Sequence, residues 1–215
     1  MKRTIIAAAL AIGAFSTAQA ANINGLVNTG VGANGTADSR YILTSSSSDT
    51  AIPNTAPVIT YDNQWPISPW MANDSTSKWI TPTGSQAQSF DAWSAGAYTY
   101  SLSFDLSGYS AGTAGFSARV AADNSVVVWL NKQMIASASG FMGWSEFAAN
   151  GGFVDGVNQL DFVVTNWAQN GGNPTGLRVE FTDSTVAPVP EPEAYAMMLG
   201  GLALVGAIAR RRKSK

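Results

Sequence analysis

The sequence predicts an all-β body, a jelly roll or β-sandwich, with an apolar segment at each end of the chain. Short segments alternate between apolar and polar residues with period 2, and turn residues recur about every 8–12 residues between them. No stretch of helical periodicity and ordinary length occurs between residues 21 and 187. A chain of 215 residues suits one ordinary domain with appendages, so we expect a single β domain over residues 21–181.

The clearest strand pattern covers residues 98–106, where large apolar side chains alternate with small polar ones. Residues 116–122 repeat this alternation, and Asp123-Asn124 follows as a predicted turn. The next run, residues 125–130, is continuous and β-branched, which is typical of a central strand covered on both faces. We therefore expect its tryptophan, Trp129, to lie in the core.

The second half of the body continues the same pattern. Asn131-Lys132-Gln133 predicts a hairpin turn, although Lys132 stands where such a tight turn usually has glycine. After the predicted turn at residues 155–158, residues 160–165 alternate again. Residues 177–181 form the last predicted strand.

The first residues have the three parts of a secretory signal peptide. Lys2 and Arg3 form a basic start, an apolar run follows over residues 5–15, and Ala18 and Ala20 form a small-x-small cleavage site. We expect a signal helix over residues 1–20 and a mature chain outside the cytoplasm. The alternative is a buried N-terminal helix.

The last residues predict a linker, an apolar helix and a basic end. Residues 182–193 are rich in proline and predict an extended linker. Residues 194–209 carry no charge and predict a single transmembrane helix, although such a helix spans only about 24 Å. The basic residues of 210–215 predict a cytoplasmic tail. A plain tail anchor without processing is the alternative.

Residues 189–213 resemble the PEP-CTERM sorting signal. The residues that carry the resemblance are Val189, Pro190, Glu191 and Pro192, followed by the apolar run and by Arg210, Arg211 and Arg212. The resemblance implies recognition by an exosortase in a Gram-negative bacterium and cleavage at or near Pro-Glu-Pro. It further implies a precursor in the inner membrane, and then a body at the cell surface or in an extracellular matrix such as a biofilm.

Two blocks of the body, residues 121–131 and 153–179, are similar to galactose-binding-like jelly rolls. In those domains the last stretch returns to a sheet beside a loop end that carries the ligand. A fibronectin-like sandwich is the alternative.

Composition excludes several kinds of chemistry. The chain has no Cys and no His, which excludes thiol nucleophiles, histidine triads and Cys/His zinc sites. Residues 21–187 hold 5 basic and 12 acidic side chains, a net charge of −7, which disfavours nucleic-acid binding. No motif pairs two carboxylates, so we expect no enzyme; a small polysaccharide-cleaving enzyme is the alternative.

The candidate ligand-binding residues are tryptophans and an asparagine in turn-rich segments. Trp70, Trp144, Trp167 and Asn166 are the candidates, because a tryptophan offers a sugar an apolar face and an N–H donor. The alternative is that most of the 7 tryptophans belong to the core. For a metal we expect none, or one structural calcium at Asp38, against the alternative of ordinary turn chemistry.

These features predict a non-catalytic surface or matrix protein that binds glycan or exopolysaccharide through loops of the sandwich. A purely structural surface protein without a small ligand is the alternative.

Overall fold

The computed structural model describes residues 20–190 and 192–213. The strands are β1 (Tyr41–Ser46), β2 (Val58–Ile59), β3 (Ile80–Thr81), β4 (Gly96–Asp105), β5 (Gly115–Leu130), β6 (Gln133–Ala149), β7 (Val157–Asn166) and β8 (Gly176–Thr185). A short 3-10 turn covers Ala111–Thr113, and one helix, α1 (Pro192–Lys213), follows the strands. The all-β class with a helix at its C-terminal end is confirmed.

Strand β5 links the two halves of the sheet. Residues 115–123 of β5 pair with β8, whereas residues 125–130 pair with β7. The hairpin partner β6 follows β5 along both parts. All pairs are antiparallel, and the strand order is β1-β4-β7-β5-β8-β3-β2 with β6 beside β5. One half of the sheet therefore contains β1, β4 and β7, and the other contains β8, β3 and β2.

The two halves curl until their apolar faces pack against each other. Phe147 of β6 makes edge-on contacts with Phe116 and with Phe162, at ring-centroid distances of 5.8 Å and 6.3 Å. Phe162 lies on β7, in the first half, whereas Phe116 pairs with β8, in the second. One core cluster contains the buried residues of both halves. This curled sheet confirms a sandwich-type body. Apolar and polar residues alternate along its strands because one face of each half-sheet is buried and the other is not.

Two local predictions within β5 are wrong. Asp123-Asn124 is not a turn between strands, because β5 continues through these residues with a shift in register against β6. Trp129 is not in the core, because residues 126–130 alternate: Val126, Val128 and Leu130 are buried, whereas Trp129 lies half-buried on the outer face. A β-branched run alone does not distinguish a strand covered on both faces from one covered on a single face.

The body extends further toward the C-terminus than the sequence predicts. Strand β8 continues to Thr185, and Val186 forms a backbone bridge with Ala21. Val189 still donates its backbone N–H to the Gly108 carbonyl oxygen, at 2.9 Å. We therefore place the end of the body at Val189 rather than at residue 181, because backbone hydrogen bonds to the body continue to that residue.

The two ends of the chain are described only in part. Residues 1–19, including Ala18, lie outside the described residues, as does Glu191; Ala20 is exposed. Helix α1 begins before residue 194 and continues through the basic run to Lys213. No helix in the described residues combines the length and apolarity that a membrane crossing requires.

The hairpin between β5 and β6 forms with both turn residues in the left-handed region. The φ angles are 48° at Asn131 and 68° at Lys132. A side chain with a Cβ is disfavoured there, by about 1 kcal/mol relative to glycine. We predict that Lys132→Gly raises the free energy of unfolding by about 0.5–1 kcal/mol in chemical denaturation. Lys132→Ala is the matched control, since it removes the long side chain but keeps the Cβ; an equal gain in both variants would contradict the backbone explanation.

Candidate ligand-binding cleft at the loop end

The segment of residues 61–79 crosses the outer face of the second half-sheet and is fastened there by Arg178 of β8. The Arg178 side chain is 2% exposed, which is rare for a charged group. Its Nη2 donates to Asp74 Oδ2 at 2.8 Å and its Nε to Ser77 Oγ at 2.7 Å. Its Nη1 donates to the carbonyl oxygen of Ala72. Three groups of one segment therefore converge on a single buried guanidinium.

Glu180, the next outward-facing residue on β8, completes the charge balance beneath the segment. Its Oε1 accepts a hydrogen bond from Ser77 Oγ at 2.7 Å and lies 3.7 Å from Arg178 Nη2. Its Oε2 accepts from Arg119 Nε at 2.7 Å. Because every buried charge here has an oppositely charged partner, breaking one pair leaves the other group uncompensated, which costs far more than a surface pair.

Trp144 lies against this network rather than on a free surface. The Arg119 and Arg178 guanidinium carbons are 4.6 Å and 4.9 Å from the centre of its ring. Both distances are within the range of a cation–π interaction. A ligand that stacked on the Trp144 ring would therefore compete with these two guanidinium groups for its face.

Trp70, another predicted ligand contact, is 3% exposed. Its ring packs on that of Trp79, with centroids 4.4 Å apart, and its Nε1 donates to Asp123 Oδ2 at 2.9 Å. Most of its ring thus belongs to a second, smaller apolar cluster between the segment and the sheet. Its remaining edge lines a cleft.

That cleft lies at the end of the sandwich where β5 passes from one half-sheet to the other. It has a volume of about 270 Å³. Its walls come from four parts of the chain: the segment of residues 61–79, the β5 corner, β6 and the loop that follows β7. The lining residues are Trp65, Pro66, Pro69, Trp70, Asp123, Asn124, Phe141, Gln169, Gly172, Asn173 and Pro174. We call this feature the loop-end cleft.

Three polar groups in the loop-end cleft are left open by the protein. Two of them are acceptors without a donor among the described residues: Asp123 Oδ1 and the Gln169 side-chain carbonyl oxygen. The third is a donor without an acceptor there, the Asn124 side-chain NH₂. The other ends of these side chains are fixed: Asn124 Oδ1 accepts from the Trp167 backbone N–H at 2.7 Å. The cleft therefore presents oriented donors and acceptors beside aromatic rings.

Burial raises the pKa of the Asp123 carboxyl to about 6, while the hydrogen bond from Trp70 lowers it by a smaller amount. The residue is 5% exposed. Desolvation disfavours the charged form of a carboxyl, and no neighbouring cation offsets it here. Asp123 is therefore partly protonated in weakly acidic solution.

The exposed tryptophans differ in their relation to this cleft. Trp65 is 42% exposed and its ring lies in the cleft wall beside Gly172. Trp167, a predicted contact, is 56% exposed and is not among the lining residues. Its backbone is bonded to two of them, because its N–H donates to Asn124 Oδ1 and its carbonyl oxygen accepts from Asn173 Nδ2 at 2.9 Å. Trp93 is 86% exposed and does not line the cleft.

Asn166 does not lie on the ligand-accessible surface. It is fully buried and its Nδ2 donates to Asp91 Oδ2 at 2.8 Å. The same carboxylate oxygen accepts from the Tyr98 hydroxyl at 2.9 Å. Asn166 therefore anchors the loop before β4, and the prediction that it contacts a ligand does not fit its position.

Asp38 is used by its own turn. Its Oδ2 accepts the Gly30 backbone N–H at 2.7 Å, and its Oδ1 accepts those of Arg40 and Tyr41 at 2.8 Å and 3.2 Å. Within the described ranges, no group of three or more acidic side chains is placed to hold a metal ion. The calcium hypothesis at Asp38 stays a prediction without a ligand set.

A second, larger concavity lies on the outer face of the first half-sheet. It has a volume of about 370 Å³ and is lined by Thr44, Thr99, Trp129, Lys132, Gln159, Asp161 and Val163. Asp161 Oδ1 already accepts hydrogen bonds from Ser101 and from Gln159 Nε2 at 2.8 Å. We favour the loop-end cleft because its carboxyl group, Asp123, is 5% exposed and lies among aromatic side chains. In the second concavity, Asp161 already accepts two hydrogen bonds from neighbouring side chains, and Trp129 is the one aromatic residue in the lining.

Sequence reasoning missed Trp65, Asp123, Asn124 and Gln169 as a group. The available signal was the Asp123-Asn124 pair between two strong strand patterns, which we interpreted as a turn. Only the pairing of β5 with both β7 and β8 shows that this pair lies at a corner of the sandwich.

A comparison with protein families matches residues 188–213 to the PEP-CTERM protein-sorting motif. This match confirms the sorting signal predicted at residues 189–213. A search of curated proteins finds no match to the chain.

The solved structures that share a distant likeness with the chain include the following two. A family 35 carbohydrate binding module from an environmental isolate is 14% identical, with a TM-score of 0.29, and the match covers 70% of this chain and 98% of that chain. A β-glucosidase from Kluyveromyces marxianus is 12% identical, with a TM-score of 0.32, over 80% of this chain but 20% of the glucosidase. At these TM-scores neither likeness carries an argument about this chain.

The buried Asp123 carboxyl predicts a pH-dependent stability. Its pKa in the folded protein, about 6, lies above its ordinary value of 3.8, so the native state binds the proton more tightly than the unfolded chain. Stability therefore falls as the pH rises between these two values and stays lower above them. We predict that Asp123→Asn, which still offers Trp70 an acceptor, is more stable than the wild type at about pH 7, by on the order of 1 kcal/mol.

Thermal unfolding of both proteins at about pH 4 and about pH 7 measures this effect. The two melting temperatures should converge in acid, where Asp123 is protonated. A difference that is the same at both pH values would show that Asp123 has no raised pKa.

Proposed function

We propose that the protein is an exported, non-catalytic surface or matrix protein. Its tail is processed by an exosortase, and its sandwich binds glycan in the loop-end cleft. The match of residues 188–213 to a sorting motif supports the first part. The precursor is held at the inner membrane through the apolar tail until cleavage, and the body then reaches the cell surface or the extracellular matrix.

One observation carries the glycan proposal: an aromatic wall faces open polar groups in one concave site. Trp65, Trp70 and Phe141 supply apolar surface, while Asp123 Oδ1, the Asn124 NH₂ and the Gln169 carbonyl oxygen are oriented and open. A sugar ring has apolar C–H faces and hydroxyl edges that both donate and accept hydrogen bonds. Sites of this kind combine apolar walls with a few placed polar groups.

The presence of one carboxyl group among the residues that line the loop-end cleft supports a binding role over hydrolysis. Glycoside hydrolysis by the common mechanism needs two carboxyl groups across the scissile bond. Asp123 supplies one, and no other Asp or Glu is among the residues that line the cleft.

A purely structural surface protein is the second candidate. The burial of Trp70 and Trp79 and the stacking of Trp144 on two guanidinium groups favour it, because these aromatics fasten a loop to the sheet. The exposure of Trp65 and Trp167 favours ligand binding instead.

We predict that Trp65→Ala weakens binding to the producing organism's own exopolysaccharide about tenfold or more, because a tryptophan in a cleft wall contributes a large contact area. Isothermal titration with the full chain in mild detergent measures the affinity. Trp93→Ala is the matched control, since Trp93 is exposed but outside the cleft. Circular dichroism verifies that both variants are folded. Equal affinity of Trp65→Ala and wild type, or no binding by the wild type, would favour the structural candidate.

For sorting, we predict that Glu191→Ala or removal of residues 210–215 leaves the precursor uncut in the inner membrane. The acidic residue belongs to the Pro-Glu-Pro motif, and the basic end fixes the orientation of an apolar tail. Cell fractionation combined with the apparent mass of the protein measures processing. Glu193→Ala, two residues away, is the control. Normal processing in the first two variants would contradict exosortase recognition of this tail.

A further inference from the structure

The Asp123 carboxylate is buried without a counter-ion. The residue is 5% exposed, and Oδ2 accepts one hydrogen bond from the neutral indole of Trp70. None of the residues that line the loop-end cleft is a lysine or an arginine. Arg178 lies two residues beyond Gly176, the partner of Asp123 on β8, but its guanidinium is bound to Asp74 and Glu180.

This arrangement contrasts with the rest of the outer face of the second half-sheet. There, the buried Arg178 and Glu180 balance each other through direct contact. A buried carboxylate without such a partner destabilises the fold unless it is protonated or meets a cation. Asp123 lines the cleft, and Oδ1, which accepts no hydrogen bond among the described residues, is the oxygen left for a bound molecule.

The walls around this carboxylate also favour positive charge. Trp65, Trp70 and Phe141 line the same cleft, and the faces of aromatic rings attract cations, most strongly when water is excluded. The net charge of −7 over residues 21–187 adds a long-range negative potential, which also attracts cations. Both effects oppose the binding of sugars that carry carboxylates.

Building on the proposed glycan binding, we infer that the loop-end cleft selects glycans with free amino groups, whose ammonium pairs with the Asp123 carboxylate. The open amide groups of Asn124 and Gln169 bind hydroxyls of the same chain of sugars. Neutral sugars bind more weakly, because they leave the carboxylate without a counter-charge. Uronate-rich glycans are excluded by repulsion.

The test compares four oligosaccharides of equal length by isothermal titration of the full chain in mild detergent, at about pH 6.5, above the Asp123 pKa of about 6. The probes are a glucosamine oligomer, its N-acetylated form, a neutral glucose oligomer and an oligogalacturonate. We expect the glucosamine oligomer to bind about tenfold more tightly than its N-acetylated form. Asp123→Asn should abolish this preference, so that the glucosamine oligomer and its N-acetylated form bind with equal affinity. Asp105→Asn, at an exposed carboxylate of β4 outside the cleft, is the control and should keep the preference.

A second measurement separates ion pairing from a change in fold. Binding of the glucosamine oligomer should weaken as the pH falls through about 6, where Asp123 takes up a proton, and Asp123→Asn should lose this step. Thermal melts verify that the variant is folded. Equal affinity for the amino and N-acetylated oligomers, or a preference that survives in Asp123→Asn, would overturn the inference while glycan binding stands. No binding of any oligomer would overturn both.

Discussion

Arg178 holds the segment of residues 61–79 on the outer face of the sandwich, and the loop-end cleft depends on that contact. Its guanidinium is buried among a serine, a main-chain carbonyl and a carboxylate of the segment, with Glu180 beside it on the same strand. Such a group cannot be left unpaired, so the segment has one strongly favoured position. Trp65 and Trp70 are carried by this segment, and both form cleft wall.

The second constraint is the length of β5, which belongs to both half-sheets. Where it changes partner from β8 to β7, the chain passes the end of the sandwich at Asp123 and Asn124. Polar side chains there can line the cleft without entering the apolar core, while the strands on either side hold their backbone. Rigid strands thus orient groups that meet a loop surface, which is where binding sites commonly lie.

Local patterns in the sequence predicted the parts of the fold that depend on neighbours along the chain. The strand alternation at residues 98–106, the hairpin at Asn131-Lys132 and the sorting tail are of this kind. The burial of tryptophans was not predictable in this way, because it depends on which face another segment covers. Trp129 was expected inside and lies half-buried on an outer face, whereas Trp70 was expected at a ligand and is 3% exposed.

The sequence predicted the residue types and the loop location of the candidate site, but not which residues come together in it. Tryptophan with asparagine in turn-rich segments predicted a site in the loops, and the backbone of one predicted residue, Trp167, is hydrogen-bonded to Asn124 and Asn173, which line the loop-end cleft. Asp123 and Gln169 come together only through contacts between residues far apart in the chain, which no local spacing encodes. The roles of Asp123 and Arg178 also depend on burial, since the same side chains on an exposed turn would have neither a raised pKa nor an obligatory partner.

The 7 indole N–H groups of the protein offer the most direct test of the central claim, that ligand binds in the loop-end cleft. Their NMR signals, assigned by single substitutions, can be followed during titration with exopolysaccharide. We predict that the signals of Trp65, Trp70 and Trp167 shift, while those of Trp93 and Trp129 stay in place. Shifts confined to Trp129, or no shift of any indole signal at saturating glycan, would contradict the account.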